Sequence, residues 1–507
     1  MNINYINFNL YDKIDNITNS IPNFLGHFDT LTIFYVINTI IVFTIVFLEF
    51  QKASSSWAWI LVLLLLPYMG LVLYLLLGRP IYREKIFPLS KDDKIKFQQK
   101  LLGRKAPYII NSEELAANNH INLIKLNFQA DQSFLSDNND IDIIINGEEK
   151  FQLLFEDIKN AKKYVYIQYY ILKKDNIGKK LFKLLEKKVK EGVEVYVLYD
   201  DIGSRTLNWY TLKDIKSAGI KTKSFFKARF ALINMRMNYR NHRKLVVIDG
   251  QIGYTGGFNV GDEYLGNDNK VGNWRDTHLR IKGEAVSLLT LRFINDWNSQ
   301  VLKNNKSELI KFSKYHINKY PILNNKNPIQ IVTSGPDNRL EQIKYGYLHI
   351  INRAKKYLYI QSPYFVPDES TMDALKISIL SGVDVRIMIP AKPDHMLVHW
   401  ANYSYVGELA RMGAKIYEYT DGFLHAKTII ADDEVTSVGS ANFDNRSFKL
   451  NFEVNAFIYD KETTKKFKDI FEKDIKNSLE LTSEIYSNRG FIIKMKEAIS
   501  RLTSPIL

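Results

Sequence analysis

Two stretches of the chain carry residues whose types and spacing suit chemistry at phosphorus. The first holds His242, Arg243 and Lys244, four apolar residues, Asp249, then Gly256-Gly257 and Asn259. The second holds His425, Ala426 and Lys427, four more residues, Asp432, then Gly439-Ser440 and Asn442. The six motif residues His242, Lys244, Asp249, His425, Lys427 and Asp432 form the candidate catalytic set. A phosphodiester is anionic, so its charge must be neutralised before a nucleophile can approach. Two lysines do this, and the amides of Asn259 and Asn442 can donate to phosphoryl oxygens. Neutral histidine is a nucleophile at cellular pH, and a second, protonated histidine can protonate the leaving alkoxide. This two-step route through a phosphohistidine calls for no cofactor and no metal. Each histidine then needs an acid on its other ring nitrogen. Asp276, downstream of the first copy, and Glu453, downstream of the second, are the candidates.

The runs Lys244 to Asp249 and Lys427 to Asp432 read as strands. Side chains alternate faces along a strand, so His242 and Lys244 point one way and Asp249 the other. The same parity holds for His425, Lys427 and Asp432, which makes each aspartate a structural partner behind the strand rather than a group beside its histidine. The glycines let backbone approach closely.

Other words recur as well. Ala161-Lys-Lys-Tyr-Val-Tyr-Ile-Gln168 returns as Ala354-Lys-Lys-Tyr-Leu-Tyr-Ile-Gln361, and Gly192-Val-Glu-Val195 as Gly382-Val-Asp-Val385. Before the first word, Phe151, Leu154, Phe155 and Ile158 share one helical face. Helices and strands in the same order on both sides of residues 303–327 imply an internal duplication of α/β domains. The expected bounds are 136–302 and 328–507, joined by 303–327 and preceded by a basic linker, 79–135. Phe225, Phe226 and Phe230 lie in extra residues between Gly219 and His242, which read as a lid, a lipid-facing loop or a packed surface loop. Asp200-Asp201 ends a strand and lines the pocket or caps the following turn. His395 and His399 have metal-pair spacing but lack a third ligand nearby. Phe491 to Leu502 sets apolar residues against Lys494, Lys496 and Arg501, as in a membrane-surface helix or one docked on the second domain.

The chain has 507 residues, a net charge of +14 and no cysteine. Disulfides, thiolate metal sites and a cysteine nucleophile are excluded. The charge favours anionic partners. After a first segment, 1–30, two uncharged apolar runs, Leu31 to Leu48 and Trp57 to Leu77, are long enough to cross a bilayer. A transmembrane hairpin over 31–78 is expected, with Pro67 and Gly70 as sites of a kink. The link between the runs carries only Lys52, whereas Arg79, Arg83, Lys85, Lys91 and further cations follow the second run. The positive-inside rule then puts both termini in the cytoplasm.

On these residues the paired motif resembles the phospholipase D superfamily. The whole chain is similar to bacterial cardiolipin synthases, from Ser-Trp-Ala-Trp-Ile before the second run to Gly439-Ser-Ala-Asn-Phe-Asp-Asn-Arg-Ser447 and Ser504-Pro-Ile-Leu507. The resemblance implies two phospholipase D-like α/β domains with pseudo-twofold symmetry, the site lying between them. It implies an enzyme of the bacterial cell membrane, with its catalytic body in the cytoplasm, that joins two phosphatidylglycerols into cardiolipin and glycerol. Partners would be phosphatidylglycerol, other anionic phospholipids and the membrane, with no nucleic acid. His242, Lys244, Asn259, Asp276, His425, Lys427, Asn442 and Glu453 carry over, and Ser440 matches a small residue beside the phosphate. A hydrolytic phospholipase D and a nuclease use the same residues and remain alternatives at this stage.

Overall fold

The recurring Ala-Lys-Lys-Tyr word has a structural cause. The Asp249 carboxylate accepts the backbone N–H groups of Lys162, Lys163 and Tyr164 at 2.7, 2.8 and 2.9 Å. Asp432 accepts those of Lys355, Lys356 and Tyr357 at 2.7, 2.8 and 3.0 Å. Each aspartate thus closes the turn that starts a central strand. The computed structural model describes residues 30–49, 53–74, 86–103, 106–107, 119–226, 238–266, 272–301, 305–311, 320, 323 and 326–503. The chain forms two compact units, 1–80 with 229–238, and 81–228 with 239–507.

The larger unit contains both copies. In the first half the strands are β1 (Asn139–Ile144), β2 (Tyr164–Tyr169), β3 (Glu194–Asp200), β4 (Lys221–Phe225), β5 (Leu245–Ile248), β6 (Ile252–Gly256) and β7 (His278–Gly283). They form one sheet in the order β1-β7-β6-β5-β2-β3-β4. In the second half they are β8 (Ile329–Ser334), β9 (Tyr357–Gln361), β10 (Asp384–Pro390), β11 (Lys415–Tyr419), β12 (Thr428–Ala431), β13 (Val435–Gly439) and β14 (Glu453–Ile458). Their order is β8-β14-β13-β12-β9-β10-β11, the same topology with every label raised by seven. The strands β2, β3 and β4 pair in parallel, as do β9, β10 and β11, and the remaining pairs are antiparallel in both sheets. Two short strands lengthen the second sheet, Leu135–Ser136 beside β8 and β15 (Ser478–Glu480) beside β11.

Helices join the parallel strands, and their starts are written in the sequence. Asn146, Asp175, Asp368 and Asp460 each accept a backbone N–H from the first turn that follows. Each sheet buries one face under such helices, with Phe151, Leu154 and Ile158 in the first half. The other faces share one core between the halves. There Tyr166 stacks on Phe293 at 4.5 Å, and Tyr359 stacks on Phe471 at 4.8 Å, at equivalent places in the two copies. Phe225, the last residue of β4, and Phe226 belong to this core and pack on Phe452 at 5.1 and 5.7 Å, while residues 227–237 lie outside the described residues. Phe230 lies outside the described residues. The basic stretch 79–135 contains helices Lys91–Leu102 and Ile121–Asp131, the second with its apolar side in the core of the second half.

The first described helix of the smaller unit is Thr30–Glu49, matching the first apolar run. The second run breaks at Pro67, one of the two expected kink sites. It divides into Ala53–Leu65 and Pro67–Leu73, with Leu66 at φ −128° and ψ 67°. Proline has no N–H to bond backwards, and its ring clashes with the preceding turn. Among the residues whose side chains are described, no helix is long and apolar enough to cross a membrane. Segment 1–29 lies outside the described residues.

Candidate functional site

The loops entering β5 and β12 bring the two histidines together. His242 donates its backbone N–H to the Phe452 carbonyl at 2.9 Å, and His425 donates to the Arg275 carbonyl at 2.7 Å. Each bond crosses from one half to the other. Each places a histidine directly beside the residue that follows its acceptor, namely Glu453 and Asp276.

The orienting acids are therefore exchanged between the halves. His425 Nδ1 lies 2.5 Å from Asp276 Oδ2. His242 Nδ1 lies 3.0 and 3.1 Å from the two Glu453 oxygens. Both carboxylates are completely buried. Reading along the sequence would pair each acid with the histidine of its own copy; the structure reverses that assignment. With Nδ1 committed to a carboxylate, Nε2 of each ring is left for substrate.

Lys244 Nζ donates to the His242 carbonyl at 2.7 Å, and Lys427 Nζ donates to the His425 carbonyl at 2.5 Å. Each ammonium keeps two further hydrogens for an anion. Burial lowers Lys244 to about 7, the Lys427 charge adds to the fall, and Glu453 opposes it. Burial likewise lowers Lys427 to about 8, against Asp276 and Glu453. Burial pushes His425 down to about 4, helped by Lys427 and opposed by Asp276. His242 also falls, through burial first, against the pull of Glu453. Burial would raise both acids, but their histidine and lysine partners hold them below the ordinary carboxylate range. Burial thus disfavours the imidazolium at both histidines and weakens the charge of both lysines, and an entering anion would favour the charged forms again.

Asn259 and Asn442 close the two ends of the motif. Asn259 accepts from Ile171 N–H at 3.1 Å and donates to the Tyr264 hydroxyl at 2.7 Å. Asn442 donates to Asp444 at 3.1 Å. Each amide nitrogen retains a second hydrogen. The Ser440 hydroxyl donates to the Glu453 carboxylate, and its carbonyl oxygen lies 3.2 Å from His242 Nδ1. Gly257 holds the equivalent place in the first half. A Cβ there would lie 1.9 Å from Asp276 Oδ1. The two halves thus use matched pairs, serine with the longer glutamate and glycine with the shorter aspartate.

Asp249 and Asp432, members of the candidate catalytic set, are not in the site. They sit past the far ends of β5 and β12, where they hold backbone, and strand parity is the physical reason. Asp200 takes the capping role considered for it. It caps the turn through Ile202 and Gly203 N–H at 3.0 Å and holds Asn241 N–H at 2.9 Å, next to His242. His395 precedes the helix Met396–Ala410, and His399 packs against Trp400 at 4.9 Å.

Several supporting residues were not evident in the sequence. Arg243 is buried between the motif residues and pairs with Asp296 at 2.8 Å, while its Nε donates to the Glu453 carbonyl at 3.0 Å across the halves. Gln168 donates to Asp296 at 2.9 Å. The second half repeats this, with Gln361 donating to Asp474 at 2.8 Å and Arg275 of the first half reaching Asp474 at 2.7 Å. The glutamine closing each repeated word was the one available signal. Tyr170 packs edge-on to His242 at 4.9 Å, and Trp274 lies 5.2 Å from His425.

The comparisons with known proteins point to one family. The family described as "Cardiolipin synthase, PLD-like domain" matches residues 154–297 and 347–475, spanning both motif copies. A second, "Phospholipase_D-nuclease N-terminal", matches 36–79. The chain is 50% identical over 480 residues to "Cardiolipin synthase 2" of Staphylococcus epidermidis, covering 93% of this chain and 96% of that one. It is 49% identical over 488 residues to "Cardiolipin synthase" of Staphylococcus aureus, covering 93% and 95%. The phosphatidylserine synthase of Haemophilus influenzae superposes with a TM-score of 0.59 at 16% identity, over 76% of this chain and all (100%) of that one; this likeness concerns the fold alone.

Proposed function

The chain belongs to the family of cardiolipin synthases with phospholipase D-like domains, and from that membership we propose that it transfers a phosphatidyl group from one phosphatidylglycerol to another. The observation that carries the proposal is the crossed site: two histidines, each braced by a carboxylate of the opposite half, with a lysine of its own copy bonded to its carbonyl.

One histidine attacks the donor phosphorus through Nε2. The phosphorus–oxygen bond to the headgroup glycerol breaks, and the second histidine, protonated once the anionic phosphate has entered beside it, delivers a proton to that oxygen. Glycerol departs and a phosphatidyl-histidine remains. The second histidine, now neutral, takes the proton from a headgroup hydroxyl of the second phosphatidylglycerol. The resulting alkoxide oxygen attacks phosphorus, the phosphorus–nitrogen bond breaks, and cardiolipin forms. Lys244 and Lys427 neutralise the equatorial oxygens, aided by Asn259 and Asn442, and gain most where charge is greatest. Asp276 and Glu453 hold the ring tautomers and stabilise each imidazolium.

Membrane attachment through the smaller unit is part of the same reading. Its helices carry uncharged apolar sequence, and Ile40, Phe43, Trp57, Leu65 and Met69 are exposed. Such faces suit lipid, with the basic stretch after residue 78 keeping the body on the cytoplasmic side. Purified protein in detergent with phosphatidylglycerol should yield cardiolipin and glycerol in equal amounts. Phosphatidic acid as the sole product would assign water as the acceptor and make the enzyme a hydrolase.

A further inference from the structure

The last helix of the chain, Phe491–Thr503, is built inside out. Its buried residues are polar: Glu497 and Ser500 are 3% and 1% exposed. Glu497 accepts from Tyr486 Oη at 3.0 Å and Arg489 Nε at 2.7 Å, and Arg501 pairs with Glu408 at 2.6 Å. The opposite face carries Phe491, Ile492, Met495, Ile499 and Leu502, between 47% and 82% exposed. A surface helix in water normally turns these residues inward.

The register of this helix leads its apolar face to the site. Lys496 lies 5.0 Å over the Trp400 ring, and Arg501 lies 4.5 Å over Tyr405. The helix therefore runs parallel to Met396–Ala410, and Phe491 and Ile492 fall level with the start of that helix. There Met396 and Leu397 are 56% and 52% exposed. They follow the carboxyl end of β10, where Asp394 accepts from the Tyr364 hydroxyl.

The first half repeats the feature at the equivalent place. After the carboxyl end of β3, helix Trp209–Ser217 opens with Trp209 and Tyr210, 65% and 72% exposed and edge-to-face at 5.1 Å. The last residue of β3 is Asp200, which holds Asn241 beside His242, so this end of the strand is the site end. Exposed apolar pairs thus mark the carboxyl-end face in both halves.

We propose that this face is a lipid-docking surface, with the apolar side of Phe491–Thr503 and the Trp209-Tyr210 and Met396-Leu397 pairs inserted at the headgroup–acyl boundary of an anionic bilayer. The inference rests on the phospholipid reading of the site and adds to it the surface by which lipid reaches the histidines. A bilayer fits better than a second copy of the chain. Lys494 and Lys496 are exposed along the same helix and can reach headgroup phosphates while their stems lie on the apolar face. A net charge of +14 opposes self-association and favours anionic lipid.

The cysteine-free sequence makes the test direct. Full-length Met495→Cys and Tyr210→Cys each carry one fluorophore in phosphatidylglycerol vesicles whose acyl chains are brominated. Glu462→Cys, past the far end of β14, is the control. Quenching of at least about twofold at 495 and 210, with none at 462, is expected for insertion to acyl depth. No quenching at 495, or self-quenching between labels without lipid, overturns the surface; the second result assigns the face to a second copy. In a kinetic arm, Phe491→Glu with Met495→Glu should lower the rate on vesicles by about tenfold or more while leaving the rate in detergent unchanged. Equal loss in both media contradicts docking. Quenching without cardiolipin formation would remove the proposed reaction and leave the surface standing. Cardiolipin formation in detergent without quenching would do the reverse.

Discussion

The exchange of acids between the halves makes a prediction that no pairing within one copy can share. Asp276→Asn should behave as a defect in His425, and Glu453→Gln as a defect in His242. The Asp276 carboxylate is buried and lies 2.5 Å from His425 Nδ1. A hydrogen bond to a charged group contributes about 1.5–3 kcal/mol, or roughly 10- to 150-fold in rate if the bond is made fully in the transition state. An asparagine amide can also turn its NH₂ toward Nδ1, forcing the ring proton onto Nε2, where it blocks attack or misdirects proton transfer. The combined loss should therefore lie between about 10²- and 10⁴-fold. Acid-quenched labelling with radioactive phosphatidylglycerol separates the roles. The histidine variant that cannot attack leaves no lipid–enzyme adduct, and the variant that attacks but cannot complete turnover accumulates one. Asp276→Asn must copy the adduct pattern of His425→Ala, and Glu453→Gln that of His242→Ala. The opposite correspondence, or full turnover in either carboxamide variant, would refute the crossed site.

Three further outcomes follow from the same geometry. Gly257→Ser places a Cβ 1.9 Å from Asp276 Oδ1 and should cost about 10²-fold in activity; adding Asp276→Glu, which copies the second half, should restore part of it in a double-mutant cycle. Asp249→Ala and Asp432→Ala each remove the acceptor of three turn N–H groups, two of them exposed, and should lower stability in denaturant melts by about 1–3 kcal/mol while leaving kcat of the folded fraction within about twofold. With Lys244 lowered to about 7 and Lys427 to about 8, the free site is fully cationic only below pH 7. The value of kcat/KM should thus fall as pH rises through 7 to 8, and a profile flat to pH 9 would contradict charged lysines as the phosphate clamp.

Much of this protein is determined by local sequence. The two His-x-Lys copies, the duplicated words and the capping Asn146, Asp175, Asp368 and Asp460 are short-range signals, and strand alternation alone separates Lys244 from Asp249. These features depend on residues a few positions apart, so periodicity and spacing report them. Pro67 belongs with them, since its missing N–H marks where the second apolar helix divides. Tertiary structure decided everything that crosses between the halves. Whether Asp276 serves His242 or His425 depends on how one sheet is set against the other, which no local pattern encodes. The same holds for Arg243 reaching the Glu453 carbonyl and Arg275 reaching Asp474. The Gly257–Asp276 and Ser440–Glu453 pairs become intelligible only once the carboxylates are seen against the backbone. In the last helix, apolar spacing revealed an amphipathic stretch, but only packing against Met396–Ala410 showed that its apolar side faces outward.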